Sequence, residues 1–391
     1  MNTSSESLVL FDTIATRSGH ALGRITLNSP KTLNALALEM IGQITDQLKS
    51  WANDNHIVAV WLHGSGDRSF CAGGDIVSLY NSMKSDPGGP NRFARDFFSQ
   101  EYRLDYLIHT YPKPVLCWGG GIVMGGGLGL MAGSSHRIVT ESTRMAMPEI
   151  TIGLFPDVGG SWFLNRMPGK TGLYMGLTGS AINCSDALFT GLADYFLAND
   201  QKDDLLRAIT DSRWHGDAGK DRALMTDLIQ HQSASSPEPP ESQVEAHLQV
   251  INELVFEDDL PRTFNAIVQH NTDDKWLIKG QKNLQHGCPV SAHLIFEQLH
   301  RGKQLELSEV FQEEFNMAMS CVTRGDFQEG VRALLIDKDN QPRWRYNSIT
   351  DVPKSWVNAH FSYPWTEDIS PLHDLGKQPD ATGNLDKYTE G

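Results

Sequence analysis

Residues Gly119–Asp157 read GGGIVMGGGLGLMAGSSHRIVTESTRMAMPEITIGLFPD. Glycine triplets on either side of Ile122–Met124 let the backbone come unusually close to a ligand, and two carboxylates, Glu149 and Asp157, each follow a proline. Val115–Trp118, just upstream, has the composition of a brief buried strand. Gly125–Ala132 opens a helix, and strand-like pieces at Arg137–Val139 and Met145–Met147 lead into Pro148-Glu149. Gly153 and the two prolines rule out one continuous helix carrying both acids. Ile150, Ile152, Leu154 and Phe155 flank them, so a rigid loop would hold both carboxylates in partly desolvated surroundings, where a pKa rises or nucleophilicity sharpens. Local sequence leaves a plainer reading for each: Asp157 as the N-cap of a helix starting near Gly159, and Glu149 as a solvated loop carboxylate.

Outward from this stretch the chain alternates strand and helix. Leu8–Phe11 and Ala21–Leu27 form an opening hairpin, Met40, Ile41, Ile44, Leu48 and Trp51 recur at helical spacing, and Ile57–Leu62 is a short apolar strand. This order predicts an α/β layer architecture. Phe70-Cys-Ala-Gly-Gly-Asp75 then hands over to a helix at Ile76–Met83, with Asp75 placed as an N-cap. Arg92–Thr110 is a further helix whose face carries Phe93, Phe97, Glu101, Leu104 and Ile108, so Glu101 interrupts an apolar stripe. A helical acid there ordinarily finds a basic partner or the rim. Beyond Asp157 the patterns are helical, with a polar break at SASSPEPPES. Residues 1–200 are expected to form the core and 201–391 a mostly helical C-terminal region with a surface insertion near 233–242.

Composition excludes several classes. A formal net charge of -15 opposes nucleic acid or an anionic membrane, and no Lys/Arg run overcomes it. No stretch reaches the roughly 18 apolar residues of a membrane span. Five scattered cysteines read as reduced thiols, and with no basic, apolar leader in MNTSSESLVLFDTI the expectation is a cytoplasmic protein.

Gly73-Gly74 and Gly125-Gly126-Gly127 both sit at strand-to-helix junctions, where two converging backbone N–H groups make an oxyanion hole; turn geometry and helix packing explain the same glycines equally well. Gly127, Gly129 and Ala132 fit G-x-G-x-x-A with Glu149 some twenty residues on, but the strand does not turn straight into the first glycine. Gly169-Lys170-Thr171 is no P-loop, since position 164 is Leu164. There is no G-x-S-x-G elbow and no close His/Cys set for a metal. Carboxylate chemistry remains.

At this point the sequence resembles the crotonase, or enoyl-CoA hydratase/isomerase, superfamily. Phe70–Asp75 and Gly119–Gly127 are similar to its two oxyanion-hole segments. FFSQEY (97–102), YPKP (111–114), AMPEITIGLFPDVGG (146–160), LTG (177–179) and DFQEGVRALLIDKD (326–339) resemble the 3-hydroxyisobutyryl-CoA hydrolases. The resemblance implies a spiral of ββα units with an extended α-helical C-terminal region. It also implies hydrolysis of a short branched β-hydroxyacyl-CoA, most of all 3-hydroxyisobutyryl-CoA in valine degradation. Gly74 and Gly126 N–H groups would hold the thioester oxygen, Glu149 would be the catalytic carboxylate and Asp157 its partner. Glu101, Ala72, Asp75, Ile76 and Gly125 would contact substrate. No separate cofactor is implied, because CoA belongs to the substrate, and a homo-oligomer stays open. Lys31 and Lys338 are candidate CoA-phosphate contacts, against a plain reading as solvated lysines. Hydratases resemble GGGxE followed by a second Glu; here Gly129 stands at the first acid's place. The alternatives are a hydratase or isomerase using Glu149 alone, a non-catalytic acyl-CoA-binding protein and, more distantly, a nicotinamide dehydrogenase.

Overall fold

A computed structural model describes residues 7–365 and 369–377. Nine strands are spread over two sheets: β1 (Val9–Ala15), β2 (Ala21–Leu27), β3 (Ile57–Gly64), β4 (Ser69–Cys71), β5 (Val115–Gly119), β6 (Ile122–Met124), β7 (His136–Val139), β8 (Arg144–Ala146) and β9 (Tyr195–Phe196). The larger sheet has the order β1-β2-β3-β5-β7-β9 and the smaller β4-β6-β8. Among these nine strands of the described residues the β1–β2 hairpin is antiparallel and the other strand pairs are parallel. From β3 onward successive strands alternate between the sheets. Each pair, β3–β4, β5–β6 and β7–β8, is followed by helix, which is the repeating ββα unit of a spiral.

The central strands β3 and β5 of the large sheet are buried on both faces, so they read as apolar runs. On β5, Val115 and Cys117 face the main core while Leu116 and Trp118 face a second one. Helices Lys202–Asp211 and Ala218–Ser233 close that second face, with Leu205, Ile209, Met225 and Ile229 against Trp61 and Trp118. The main core lies between the sheets and the helix Arg92–His109. Asn91 caps this helix by accepting from Ala94 N at 2.9 Å, and Thr110 followed by Pro112 ends it. Phe97 packs on Phe98, Phe98 on Tyr102, and Tyr102 on Phe311 and Phe315 of helix Leu307–Arg324. Each such buried ring stabilises the packing by roughly 2–3 kcal/mol.

The C-terminal helices also brace the spiral beside the turn that follows β8. Helix Asp326–Val331 lies directly on the 3₁₀ turn Glu149–Ile152. The contact is backbone to backbone: a Cβ on Gly153 would strike Asp326 O, and one on Gly330 would strike the Ile152 carbonyl. Residues 233–242 lie on the surface, tied down by bonds from Ser233 to Phe196 O and from Asn183 to Glu241 O. All five cysteines are free and buried.

Candidate active site

The small sheet places three chain segments side by side. β6 lies between β4 and β8, and neighbouring strands stand about 4.8 Å apart. All three run the same way, so the segments leaving their C-terminal ends converge: Ala72–Gly74 after β4, Gly125-Gly126 after β6, and Pro148-Glu149 after β8. They line a cavity of about 780 Å³, mouth included, with Ile76, Phe97, Phe98, Glu101 and Asp157, and with Leu334 and Leu335 at its edge.

The glycines are required here by geometry. Gly73 has φ +107° and Gly125 φ +48°, both left-handed. A Cβ on Gly73 would lie 3.3 Å from Met124 O and 3.8 Å from Gly126 N. One on Gly125 would lie 3.3 Å from Glu149 Oε1 and 3.6 Å from Gly73 Cα. The two junctions therefore touch each other and Glu149. Among the described residues neither the Gly74 nor the Gly126 N–H donates to a protein acceptor, and Gly126 is the first residue of its helix. Two free donors beside a carboxylate can receive charge developing on a carbonyl oxygen.

The acids come from three elements. Glu149 opens the 3₁₀ turn and is 5 % exposed. Burial first, then the negative charge of Asp157, holds its carboxyl well above the ordinary range. Asp157 accepts a 2.7 Å hydrogen bond from the Tyr102 hydroxyl; burial still pushes it up to about 6. Asp157 is not a helix cap. Gly159 is the N-cap residue, and Glu314 from a distant helix accepts from Gly159 N and Ser161 N at 2.8 Å each. Glu101 projects between the glycine junctions, 2 % exposed, with Oε1 unpartnered and no basic group bonded to it among the described residues. Burial, then Asp157, raises its carboxyl as well.

Of the residues singled out from sequence, Glu101, Glu149, Asp157, Ala72, Gly74, Gly125, Gly126 and Ile76 all line this cavity. Asp75 does not. Its carboxylate is turned away to accept from Ser78 N at 3.0 Å and Ser78 Oγ at 2.6 Å, the N-cap role. Lys31 and Lys338 are exposed and lie outside the lining. Sequence reasoning missed Tyr102, Glu314 and the lip residues Leu334 and Leu335. It also missed Asp105, fully buried one turn along from Glu101. The spacing Glu101, Asp105, His109 on one helical face was the available signal.

The place of Gly129 is occupied. A Cβ there would fall 2.6 Å from Val158 Cβ and 2.9 Å from Asp105 Oδ2. The wall beside Glu149 and Asp157 has no room for a further acid on helix Gly126–Ala132.

Comparison with known proteins accords with this geometry. Residues 22–361 match the profile of the Enoyl-CoA hydratase/isomerase family. A mitochondrial 3-hydroxyisobutyryl-CoA hydrolase from Danio rerio is 37% identical, over 93% of this chain and 91% of the relative. The Homo sapiens protein of the same name is 34% identical, over 89% and 88%. Among solved structures, one described as a carnitinyl-CoA dehydratase from Mycobacterium thermoresistibile has a TM-score of 0.80 at 32% identity, covering 92% of this chain and 98% of its own. One described as an enoyl-CoA hydratase from Rhodobacter sphaeroides has 0.78 at 33%, covering 91% and 98%. The relatives correct one expectation: they are named as mitochondrial, which overturns a cytoplasmic location. Reduced thiols report a reducing compartment without saying which one. No helix among the described residues is long and apolar enough to cross a membrane.

Proposed function

The chain belongs to the enoyl-CoA hydratase/isomerase family, and from that premise we propose that it hydrolyses a short branched β-hydroxyacyl-CoA, 3-hydroxyisobutyryl-CoA above all, to the hydroxy acid and CoA, a step of valine degradation. The observation that carries this reading is the filled space at Gly129. Delivering water across a double bond takes two facing acids; this site keeps Glu149 and has Val158 and Asp105 where the other acid would start. The names of the hydrolase relatives support the same choice.

In this mechanism the thioester oxygen sits between the Gly74 and Gly126 N–H groups. Glu149 either attacks the carbonyl carbon, giving a mixed anhydride that water cleaves, or takes a proton from the water that attacks. Asp157, held by Tyr102, orients the substrate hydroxyl or passes a proton to the departing sulfur. Each oxyanion donor contributes about 3 kcal/mol to the transition state. Glu101 and the apolar Ile76, Phe97 and Phe98 shape the acyl pocket. CoA enters as part of the substrate, and the chemistry asks for no cofactor besides.

Glu149→Gln tests the assignment. Thiol release from 3-hydroxyisobutyryl-CoA should disappear while CoA still binds, and near-wild-type turnover removes Glu149 from its role. Single turnover in ¹⁸O water labels the Glu149 carboxylate only along the anhydride route. The names of the solved neighbours favour a hydratase instead; loss of the conjugated absorbance of crotonyl-CoA at a rate exceeding thiol release would decide for them.

A further inference from the structure

Helix Arg92–His109 carries three ionisable side chains on one face, Glu101, Asp105 and His109, at i, i+4 and i+8. Glycines face them one for one. A Cβ on Gly126 would strike Glu101 Oε1; one on Gly129 would lie 2.9 and 3.0 Å from the Asp105 oxygens; one on Gly133 would lie 2.9 Å from His109 Cδ2. Side chains missing from one segment thus make the space that the ionisable groups of the other fill. The inner end, Glu101, lines the cavity, and the outer end, His109, lies on the last turn, half-buried as a residue and with its Nε2 buried. Asp105, between them, is 0% exposed. Among the described residues Glu101 Oε1, both Asp105 oxygens and His109 Nε2 have no hydrogen-bond partner. Buried polar groups are rarely left so, because each costs about 1–3 kcal/mol. A row of three that begins at the active site calls for a use.

Thioester hydrolysis supplies one. In R–CO–S–CoA + H₂O → R–COO⁻ + CoA–SH + H⁺, the carbon–oxygen bond forms, the carbon–sulfur bond breaks and one water proton ends on sulfur. The other must leave the site, whether Glu149 attacks directly or activates water. We infer that Glu101, Asp105 and His109 are the route by which this proton leaves, Glu101 taking it from the Glu149/Asp157 pair and Asp105 passing it to His109; no hydrogen bond joins Asp105 to His109 in the resting structure, so side-chain rotation or a bridging water carries that step. The inference rests on the hydrolytic reading. Asp105 is faced by Glu101 on its own helix, Asp157 on the adjoining loop, Glu314 on helix Leu307–Arg324 and Cys71 on β4; Arg137 on β7 is the cation acting on His109. Burial, then these acids, raises the Asp105 carboxyl well above the ordinary range, which favours a protonated group that can hand its proton on as it receives another. Burial, then Arg137, lowers His109 to about 4, so its ring is neutral at rest and holds a proton only in passing before releasing it. Asp105 touches no substrate and acts through Glu101, as a positioning and relay group.

The full chain carrying Asp105→Asn, and separately His109→Gln, tests this with 3-hydroxyisobutyryl-CoA and thiol detection. Proton exit follows carbon–sulfur cleavage, so kcat should fall by up to about 10²-fold, the low end for a positioned proton-transfer group, while kcat/KM stays within about twofold. The solvent deuterium isotope effect on kcat should rise, and small imidazole buffers should restore turnover in proportion to their concentration. Should Asp105→Asn fail to fold, His109→Gln decides alone. Wild-type kcat and isotope effect in folded variants overturn the relay. So does a joint fall of kcat and kcat/KM without imidazole rescue, the mark of a structural role. Wild-type protein that releases no thiol overturns the hydrolytic reading, and the relay with it.

Discussion

A side chain at position 129 should damage the fold before it alters the chemistry. The Cβ of Gly129→Ala would meet Val158 Cβ at 2.6 Å and the Asp105 carboxylate at 2.9 and 3.0 Å. Neither neighbour has an easy retreat. Val158 is β-branched at φ +51°, one residue before a Gly159 whose N–H is held at 2.8 Å by Glu314, and Asp105 is fully buried. Replacing a helical glycine by alanine gains about 1 kcal/mol of propensity. Overpacking a dense site costs about 1–3 kcal/mol, and two fixed neighbours put this site at the upper end. The net expectation for Gly129→Ala is a loss of about 2 kcal/mol, read as a lower guanidinium midpoint at unchanged slope. Gly129→Glu adds an unpaired buried carboxylate, a further penalty of several kcal/mol, and should yield little folded protein. Asp105→Ala in the Gly129→Ala background should recover part of the loss, because it removes one of the two collisions. A Gly129→Glu protein with the wild-type midpoint and new crotonyl-CoA hydration would refute this reasoning: the site would then have had room for a second acid all along.

Three further expectations concern the same cavity. Asp157→Asn removes the charge that, after burial, holds the Glu149 carboxyl up, so the acidic limb of kcat/KM should move to lower pH; a limb that stays put or rises contradicts the coupling. The same change alters stability against pH. Asp157 is raised from 3.8 to about 6, so the native state binds the extra proton and wild-type stability declines as pH rises from about 4 through 6. That slope, about 3 kcal/mol in all, should be absent from the asparagine variant in pH-dependent melts. At the mouth, Leu334 and Leu335 are 39% and 38% exposed on the π-helical segment Arg332–Ile336. If the pantetheine arm covers them, Leu335→Ser loses about 1 kcal/mol of burial, an increase of about fivefold in KM at an unchanged denaturation midpoint. An unchanged KM places the arm elsewhere.

Periodicity reached the long elements because their signals are local. Apolar spacing and the Asn91 and Pro112 punctuation define Arg92–His109, and β3 of the large sheet, at eight residues, is long enough to show an apolar run. The small sheet was legible only at β8, which overlaps the strand-like piece Met145–Met147. Its strands have three residues each, too few for any period, and Ile122–Met124 reads locally as an interruption of glycines. Yet this sheet is what brings Gly74, Gly126 and Glu149 together. Local odds favoured Asp157 as a helix cap because the residue that satisfies those N–H groups, Glu314, lies 155 positions from Gly159. Asp75 is the reverse case, where the short-range capping rule was correct: its carboxylate accepts from Ser78 N and Ser78 Oγ.

Gly129 links the sequence, the packing and the chemistry. From sequence it marks the absence of an acid on helix Gly126–Ala132. In the structure a carboxylate is nevertheless there, supplied from the opposite helix: the Asp105 oxygens lie 2.9 and 3.0 Å from where the Gly129 Cβ would be. The difference is reach. Glu101, one turn earlier and one methylene longer, lines the cavity, whereas Asp105 stops behind its wall. A carboxylate so placed can exchange protons with the site while being unable to touch a substrate carbon or hold a water against a double bond. Exchanging which helix carries the acid, with glycine on the facing one, would convert a two-acid addition site into a one-acid hydrolytic site with an outlet for protons. On this reading the glycine stripe and the acid stripe have to change together, and restoring only one of them, as Gly129→Glu attempts, leaves two carboxylates competing for one space.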